Sequence, residues 1–107
     1  MRLVSLGVGV GASLWMAGLG AVARADALAA LEPWVRDCFT TQRPRACEQA
    51  LLRAEALQQR AAEQDRYPCQ SMVLGLQADV VMVQFRQGRG ARAFETLAAV
   101  RQRCSGL

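Results

Sequence analysis

Four cysteines are the feature that most limits what this chain of 107 residues can fold into. They follow the spacing C-x8-C-x21-C-x34-C, at Cys38, Cys47, Cys69 and Cys104. Tetrathiolate metal sites usually contain tight C-x2-C pairs, and because this spacing has none we expect no bound metal. An even number of cysteines in a small exported chain instead predicts disulfides, here two of them.

The N-terminal segment predicts export. A positively charged start is followed by an uncharged stretch over residues 3–23, and Ala23 and Ala25 form an A-x-A cleavage signature. We therefore expect residues 1–25 to be a cleavable signal peptide, so that the mature chain begins at Asp26 and is periplasmic or secreted. The alternative is an uncleaved membrane anchor, since a bilayer is spanned by roughly 20 apolar residues.

Removal of the signal changes the charge of the chain. Loss of 25 of the 107 residues leaves 82, and it takes away two arginines but no acidic residue, so the net charge falls from +4 to +2. This small charge gives little support to nucleic-acid binding, and we expect no nucleic-acid partner. Residues 26–107 then form a single domain, near the size at which a hydrophobic core alone is marginal and disulfides add needed stability.

The apolar residues of this domain predict an all-α fold, because they recur at steps of three and four. We expect four helices, over residues 26–41, 44–64, 68–86 and 90–104. Short joins predict that consecutive helices run antiparallel, as two α-hairpins. Within the first helix, Pro33 is best tolerated in a first turn, so the regular helix should begin there. Trp34 and Phe39 are expected in the core, and the alternative for Trp34, beside Pro33, is an exposed anchor.

This layout selects one disulfide pairing. Cys38 and Cys47 lie on either side of the first turn, and Cys69 and Cys104 meet at the opposite pole. A Cys47–Cys69 bridge is excluded, since nearly the whole second helix, about 30 Å at 1.5 Å per residue, separates the two residues, and a bridge needs α-carbons within about 7 Å. Each of the two predicted bridges should contribute roughly 3 to 4 kcal/mol.

The third helix has two apolar sides. One side carries Cys69, Val73, Leu76, Val80 and Val83, and the other carries Leu74, Ala78, Val81 and Phe85. A helix of this kind must be covered twice, so it is either the central helix of the domain or part of an oligomer or partner contact. Tyr67 precedes this helix and is expected to pack on it as a hydrophobic staple.

The last third of the chain resembles tetratricopeptide-type helical hairpins. Within residues 74–104, the turn glycine, the small crossing residue, the bulky residue and the final small residue of that family correspond to Gly88, Ala93, Leu97 and Val100. Three positions depart from the family, with Val81 in place of a small residue, Gln77 in place of the tryptophan and Ser105 in place of the terminal proline. The resemblance implies a scaffold that binds peptides or proteins.

No pattern in the sequence indicates catalysis. The chain has no histidine, which removes the most common general base and metal ligand. The domain contains two serines, Ser71 and Ser105, and neither lies in a G-x-S-x-G turn. Asp79 is a lone carboxylate in an apolar helix, and we expect it to pair with an arginine. The sequence therefore predicts neither enzymatic activity nor a cofactor.

Arg86, Arg89 and Arg92 surround the turn between the third and fourth helices. Cations near the C-terminus of a helix complement its dipole, so a solvated turn is the expected setting of these arginines. Their alternative role is an anionic contact, with lipid headgroups or an acidic partner. Together with one apolar side of the third helix, they form a possible interface, which comprises Leu74, Val81, Phe85, Arg86, Arg89 and Arg92.

These observations lead to one main hypothesis, a non-enzymatic exported interaction or structural module. Its partner is either an unknown protein or a second copy in a homodimer, and it contacts a membrane only if the signal stays uncleaved. One alternative is a membrane-tethered subunit that keeps its signal anchor. The other is a small redox accessory protein, although that role favours an exposed C-x-x-C pair, which is absent.

Overall fold

The computed structural model describes residues 27–87 and 90–107, which form four α-helices and no strand. The helices are α1 (Ala27–Thr41), α2 (Pro44–Glu63), α3 (Tyr67–Gln84) and α4 (Ala91–Arg103). The all-α class and the four helical segments are confirmed, with ends that differ from the predicted ones by one or two residues. None of these helices has both the length and the apolar character needed to cross a membrane. The predicted signal peptide, residues 1–25, lies outside the described residues.

The first helix is regular on both sides of Pro33. It is helical from Ala27, although Pro33 lies inside it, so the expectation that the regular helix begins at Pro33 is wrong. The backbone N–H groups of Ala27 and Leu28 donate to the Leu107 carbonyl oxygen at 3.0 and 3.4 Å, and Leu31 is fully buried. These tertiary contacts hold the first turns helical and offset the hydrogen bond that a proline removes.

Three helices are followed by a residue of left-handed conformation that is not glycine, and the first of these is Gln42 after α1, with φ +59°. Asp65 follows α2 with φ +55°, and Arg86 follows α3 with φ +59°. In both places the next N–H, of Arg66 or of Gln87, donates to a carbonyl of the last helical turn at 2.8 Å, as in a Schellman motif. Because Arg86 has already left the helical conformation, α3 ends at Gln84 and not at the predicted residue 86.

The core lies between the helices and is built from aliphatic side chains and the four cysteines. Its largest fully buried aliphatic members are Leu31, Val35, Leu57, Val73, Leu76, Val80, Leu97 and Val100. Trp34 and Phe39 are half-buried and pack against this core, which confirms part of what was expected of them. On α2 the buried positions are mostly alanines, and small side chains allow neighbouring helices to approach closely.

The first and last helices are in direct contact. α2 packs against α1 and α3, α3 also packs against α4, and α1 in turn contacts α4. The rings of Phe39 and Phe94 meet edge to face at 5.5 Å, near the end of α1 and the start of α4. At the other ends of these two helices, Arg101 forms a bidentate ion pair with Glu32. The order of these contacts shows that α1 and α4 run in opposite directions.

Both predicted disulfides are present. Cys38 is bonded to Cys47 and Cys69 to Cys104, with α-carbons 4.7 and 4.9 Å apart. All four residues are at most 1% exposed. The first bridge ties α1 to α2 and the second ties α3 to α4. Two structural disulfides in so small a domain are typical of a protein that works in an oxidising environment.

Candidate interaction surface

The outward side of α3 carries apolar side chains that no helix of the described residues covers. Leu74 is 51% exposed, Val81 38% and Phe85 72%, and Ala78 between them is also exposed. We call these four residues the open face. The inner side of the same helix is at most 5% exposed and consists of Cys69, Val73, Leu76, Val80 and Val83. Of the two apolar sides of α3, the domain covers one.

This asymmetry follows from the position of α3 between α2 and α4. Both neighbours pack against α3, and the residues buried there lie on its inner side. Asp79 lies on one boundary between the two sides, and uncharged amides line the other. Gln70 and Gln77 are half-buried at this boundary, and Gln84 is exposed. An apolar patch with a polar border on a small domain is characteristic of an interaction site.

The arginines of the predicted interface do not converge. Arg86 lines a pocket of about 310 Å³ at the pole where Phe39 meets Phe94. Arg92 instead lines a groove of about 370 Å³ between α3 and α4. Arg89 lies outside the described residues. The two described arginines therefore serve different surfaces, and neither belongs to the open face.

The groove between α3 and α4 contains few side chains that could take part in a reaction. Its lining consists of Ser71, Met72, Gly75, Arg92, Glu95, Thr96 and Ala99. A β-carbon placed on Gly75 would meet nothing within 4 Å, which shows how open the floor of the groove is. The groove holds one cation and one carboxylate on α4, and the Thr96 hydroxyl donates to the Arg92 carbonyl oxygen at 3.2 Å and not to Glu95.

One ion pair joins α1 to α4. Arg101 donates to both carboxylate oxygens of Glu32, at 3.0 Å from Nε and 2.8 Å from Nη2. The hydrogen bond from Arg101 is the main reason that the pKa of Glu32 lies below its usual value; the Arg101 charge adds to it and burial opposes it. Because this carboxylate is ionised and engaged by a guanidinium, its role is structural.

A second polar cluster fixes the turn between α1 and α2. Asp37 accepts hydrogen bonds from Arg43 and, at 2.8 Å, from the Thr41 hydroxyl. The hydrogen bond from Arg43 is the largest cause of the lowered pKa of Asp37, and the hydrogen bond from Thr41 adds to it. The cluster adjoins the Cys38–Cys47 bridge, so bridge and ion pair hold the same turn. It too is structural.

The other candidates for chemistry are isolated. Asp79 is half-buried, and no arginine in residues 27–87 or 90–107 forms a salt bridge with it, so the expected pairing is wrong for this part of the chain. The described residues contain no group of three or more side chains suited to hold a metal ion. All four cysteines are buried and bridged, whereas a reactive thiol is exposed and has a lowered pKa.

Two exposed residues were missed or misplaced by sequence reasoning. Tyr67 is 61% exposed and its hydroxyl donates to Asp65 at 3.1 Å, so its prediction as a staple is wrong. A staple residue precedes the N-cap, but α3 begins at Tyr67 itself, which points its ring outward. The sequence contained a sign of this exposure, because Tyr67 lies two helical turns before Leu74 and therefore on the same side of α3. Leu52 on α2 is 59% exposed, and the sequence pattern did not predict its exposure.

The chain was compared with known proteins at three levels. Family models, curated proteins and solved structures all gave no match. The resemblance of residues 74–104 to tetratricopeptide-type hairpins therefore stays a prediction, and its turn glycine, Gly88, lies outside the described residues.

Proposed function

We propose that this chain is a non-enzymatic, exported interaction module and that the open face of α3 is its binding surface. The observation that carries the proposal is the exposure of Leu74, Val81 and Phe85 on one side of one helix. Scattered apolar side chains on a surface are ordinary. Apolar side chains in register over three helical turns, with polar side chains along their borders, are typical of a surface that another molecule covers.

The arrangement of the polar groups supports a binding role over a catalytic one. The carboxylates of Glu32 and Asp37 are bound by arginines that hold helices and turns together. In the α3–α4 groove the Thr96 hydroxyl donates to the Arg92 carbonyl oxygen at 3.2 Å, and not to Glu95 as an activated nucleophile would. The proposed kinship with tetratricopeptide-type hairpins, which bind peptides or proteins, points the same way.

Export is part of the same proposal. Two buried disulfides fit an oxidising compartment, and residues 1–25 have the composition of a cleavable signal peptide. We expect intact-mass analysis of the protein from the soluble envelope fraction to give a mature N-terminus at Asp26. A full-length species that detergent must extract from the membrane would contradict export as a free protein.

The binding surface is tested by placing a photoreactive amino acid at one position of the full chain in producing cells. At Leu74 we expect cross-linked adducts after illumination, because a bound partner lies against that residue. Leu52 is the matched control, since it is also a leucine on a helix and is about equally exposed, at 59% against 51%. Equal adducts at the two positions, or none at Leu74, would refute the proposed surface.

A further inference from the structure

The outward side of α3 extends beyond the open face toward the start of the helix. Ser71 and Tyr67 are exposed and lie one and two turns before Leu74. The whole row has alternating steps of four and three and consists of Tyr67, Ser71, Leu74, Ala78, Val81 and Phe85. We call it the outer seam. These steps average 3.6 residues, the period of an α-helix, so the row stays on one side of α3, and their alternation is that of the contact positions in a coiled coil.

On α3 itself the positions that flank the outer seam carry no charge, and the nearest charges of the neighbouring helix are those of Arg92 and Glu95, which line the groove beyond Ser71 and Gly75. One border consists of Gln70, Gln77 and Gln84, and the other of Pro68, Gly75 and Met82. In coiled coils these border positions usually hold the charged residues that select a partner. A second copy of the same chain brings identical charges to the interface, and like charges that face each other disfavour association. Uncharged flanking positions on α3, in a chain with 13 basic and 9 acidic residues, lower that penalty.

The side-chain sizes along the seam complement one another when two copies of α3 run antiparallel. In the register centred between residues 74 and 78, Leu74 lies opposite Ala78 of the second copy, and Ser71 lies opposite its Val81. Tyr67 then meets Phe85, an aromatic pair at each end. Every inner layer joins a large residue to a small one. In a parallel pair, Ser71 would face Ser71 and Ala78 would face Ala78, which leaves two layers underfilled.

We infer that two copies of this chain associate through antiparallel α3 helices whose outer seams pack against each other. The inference rests on the proposed function, because it names a second copy as the occupant of the open face. The two-fold axis passes between the Gln77 side chains, whose amides each donate and accept one hydrogen bond. On the other border the axis passes between the two Gly75 residues, where nothing in the monomer fills the space of a β-carbon.

The area of the outer seam indicates a weak dimer. An aromatic side chain buries about 150–250 Å² when it is fully covered, so the exposed parts of Tyr67 (61%) and Phe85 (72%) amount to roughly 200–330 Å² per copy. With Leu74 and Val81 added, the interface stays below the total of about 1,600 Å² that is standard for stable complexes. We expect a dissociation constant on the order of micromolar or tens of micromolar.

Sedimentation equilibrium tests the dimer on protein purified from cells that express the full chain. The apparent mass should rise toward that of a dimer as the concentration increases. Leu74→Arg places two cations within the seam and should weaken association at least tenfold. Leu52→Arg is the matched control and should associate like the unmodified protein. Circular dichroism of both variants shows that the fold is retained. A dimer that Leu74→Arg leaves intact would overturn the inference.

Cysteine cross-linking tests the direction of the helices. The four native cysteines are bridged and buried, so a short bismaleimide reacts with an introduced thiol alone. Gln77→Cys should cross-link to itself across the two-fold axis. Gln70→Cys should not, because its two copies lie about 21 Å apart along the helices, at 1.5 Å per residue. A mixture of Gln70→Cys and Gln84→Cys should cross-link, since these positions face each other.

The outcomes separate this inference from the proposed function. Self-cross-linking of Gln70→Cys as efficient as that of Gln77→Cys would show parallel helices and overturn the antiparallel dimer. A protein that stays monomeric at every concentration, while the photoreactive group at Leu74 still captures another protein, would overturn the dimer and leave the binding surface in place. A monomer without adducts at Leu74 would overturn both.

Discussion

Two neighbouring valines on α3 provide the sharpest test of how this helix is packed. Val80 is fully buried on the inner side, and Val81 is 38% exposed on the open face. We compare Val80→Asp with Val81→Asp, which place the same side chain one residue apart on the same helix. Valine and aspartate have similar helix propensities, so a difference between the variants reports on the surroundings of each residue.

The structure gives the size of each effect. Val80→Asp loses the burial of a valine, about 1.5–3 kcal/mol, and it buries a carboxyl group among Leu57, Leu76 and other aliphatic residues of the core. A buried polar group without a hydrogen bond adds roughly 2–7 kcal/mol. The sum, about 4–10 kcal/mol, is most of the 5–15 kcal/mol that stabilises a typical domain. Val81→Asp keeps its carboxylate in water and should lower the free energy of unfolding by about 1 kcal/mol.

Far-UV circular dichroism during urea denaturation measures both variants. We expect Val80→Asp to be largely unfolded without denaturant, and Val81→Asp to keep its helix content with a slightly lower midpoint. Val80→Ala serves as a control for lost volume alone and should remain folded. If the two aspartate variants unfold equally, α3 is enclosed on both sides within one molecule and the open face does not exist.

Two further predictions concern the bridges and the ion pair. By the loop-entropy relation, the Cys69–Cys104 bridge (sequence separation 35) should stabilise by about 3.8 kcal/mol and the Cys38–Cys47 bridge (separation 9) by about 2.6 kcal/mol. Replacing each pair by alanines and measuring urea denaturation should show this order, and the reverse order would contradict the entropic account. Because the pKa of Glu32 is lowered in the folded state, its ion pair stabilises above the unfolded carboxyl pKa, about 4.3. Glu32→Gln should therefore lower the urea midpoint at pH 7, and the difference should vanish as the pH falls below the folded pKa; a difference that persists in acid would rule out this linkage.

The sequence was sufficient for the disulfide framework. Once four helices with short joins are assumed, chain geometry alone places Cys38 near Cys47 and separates Cys47 from Cys69 by the length of α2. The structure confirms this pairing. The prediction succeeded because it depends on helix length and on distance limits, and both are insensitive to errors of one or two residues at helix ends.

Local rules failed where tertiary contacts or a small change of register decided the outcome. Pro33 does not mark the start of the regular helix, because Leu107 accepts the hydrogen bonds of the first two described N–H groups of α1. Tyr67 is not a staple, because α3 begins one residue earlier than predicted. A partner for a carboxylate such as Asp79 depends on which helix lies beside it, and helical periodicity does not contain that information.

The candidate surface shows the same limit. Periodicity reveals that α3 has two apolar sides and places Val81 in the possible interface, but it does not show which side the other helices cover. Packing decides between them, since α2 and α4 both approach the side that contains Val80. The outer seam could have been predicted in part, because the steps from Tyr67 to Phe85 are visible in the sequence, whereas the exposure of these residues is a property of the folded domain.

Hydroxyl-radical footprinting of Phe85 tests most directly whether the open face is covered in the native setting. This ring is 72% exposed in a single copy, and Leu52, at 59%, is an internal reference on α2. In purified protein diluted far below a micromolar dissociation constant, both side chains should be oxidised. In intact envelopes Phe85 should be protected while Leu52 is oxidised as before. Equal oxidation of Phe85 in the two preparations would contradict the central claim, because it would show that nothing binds the open face.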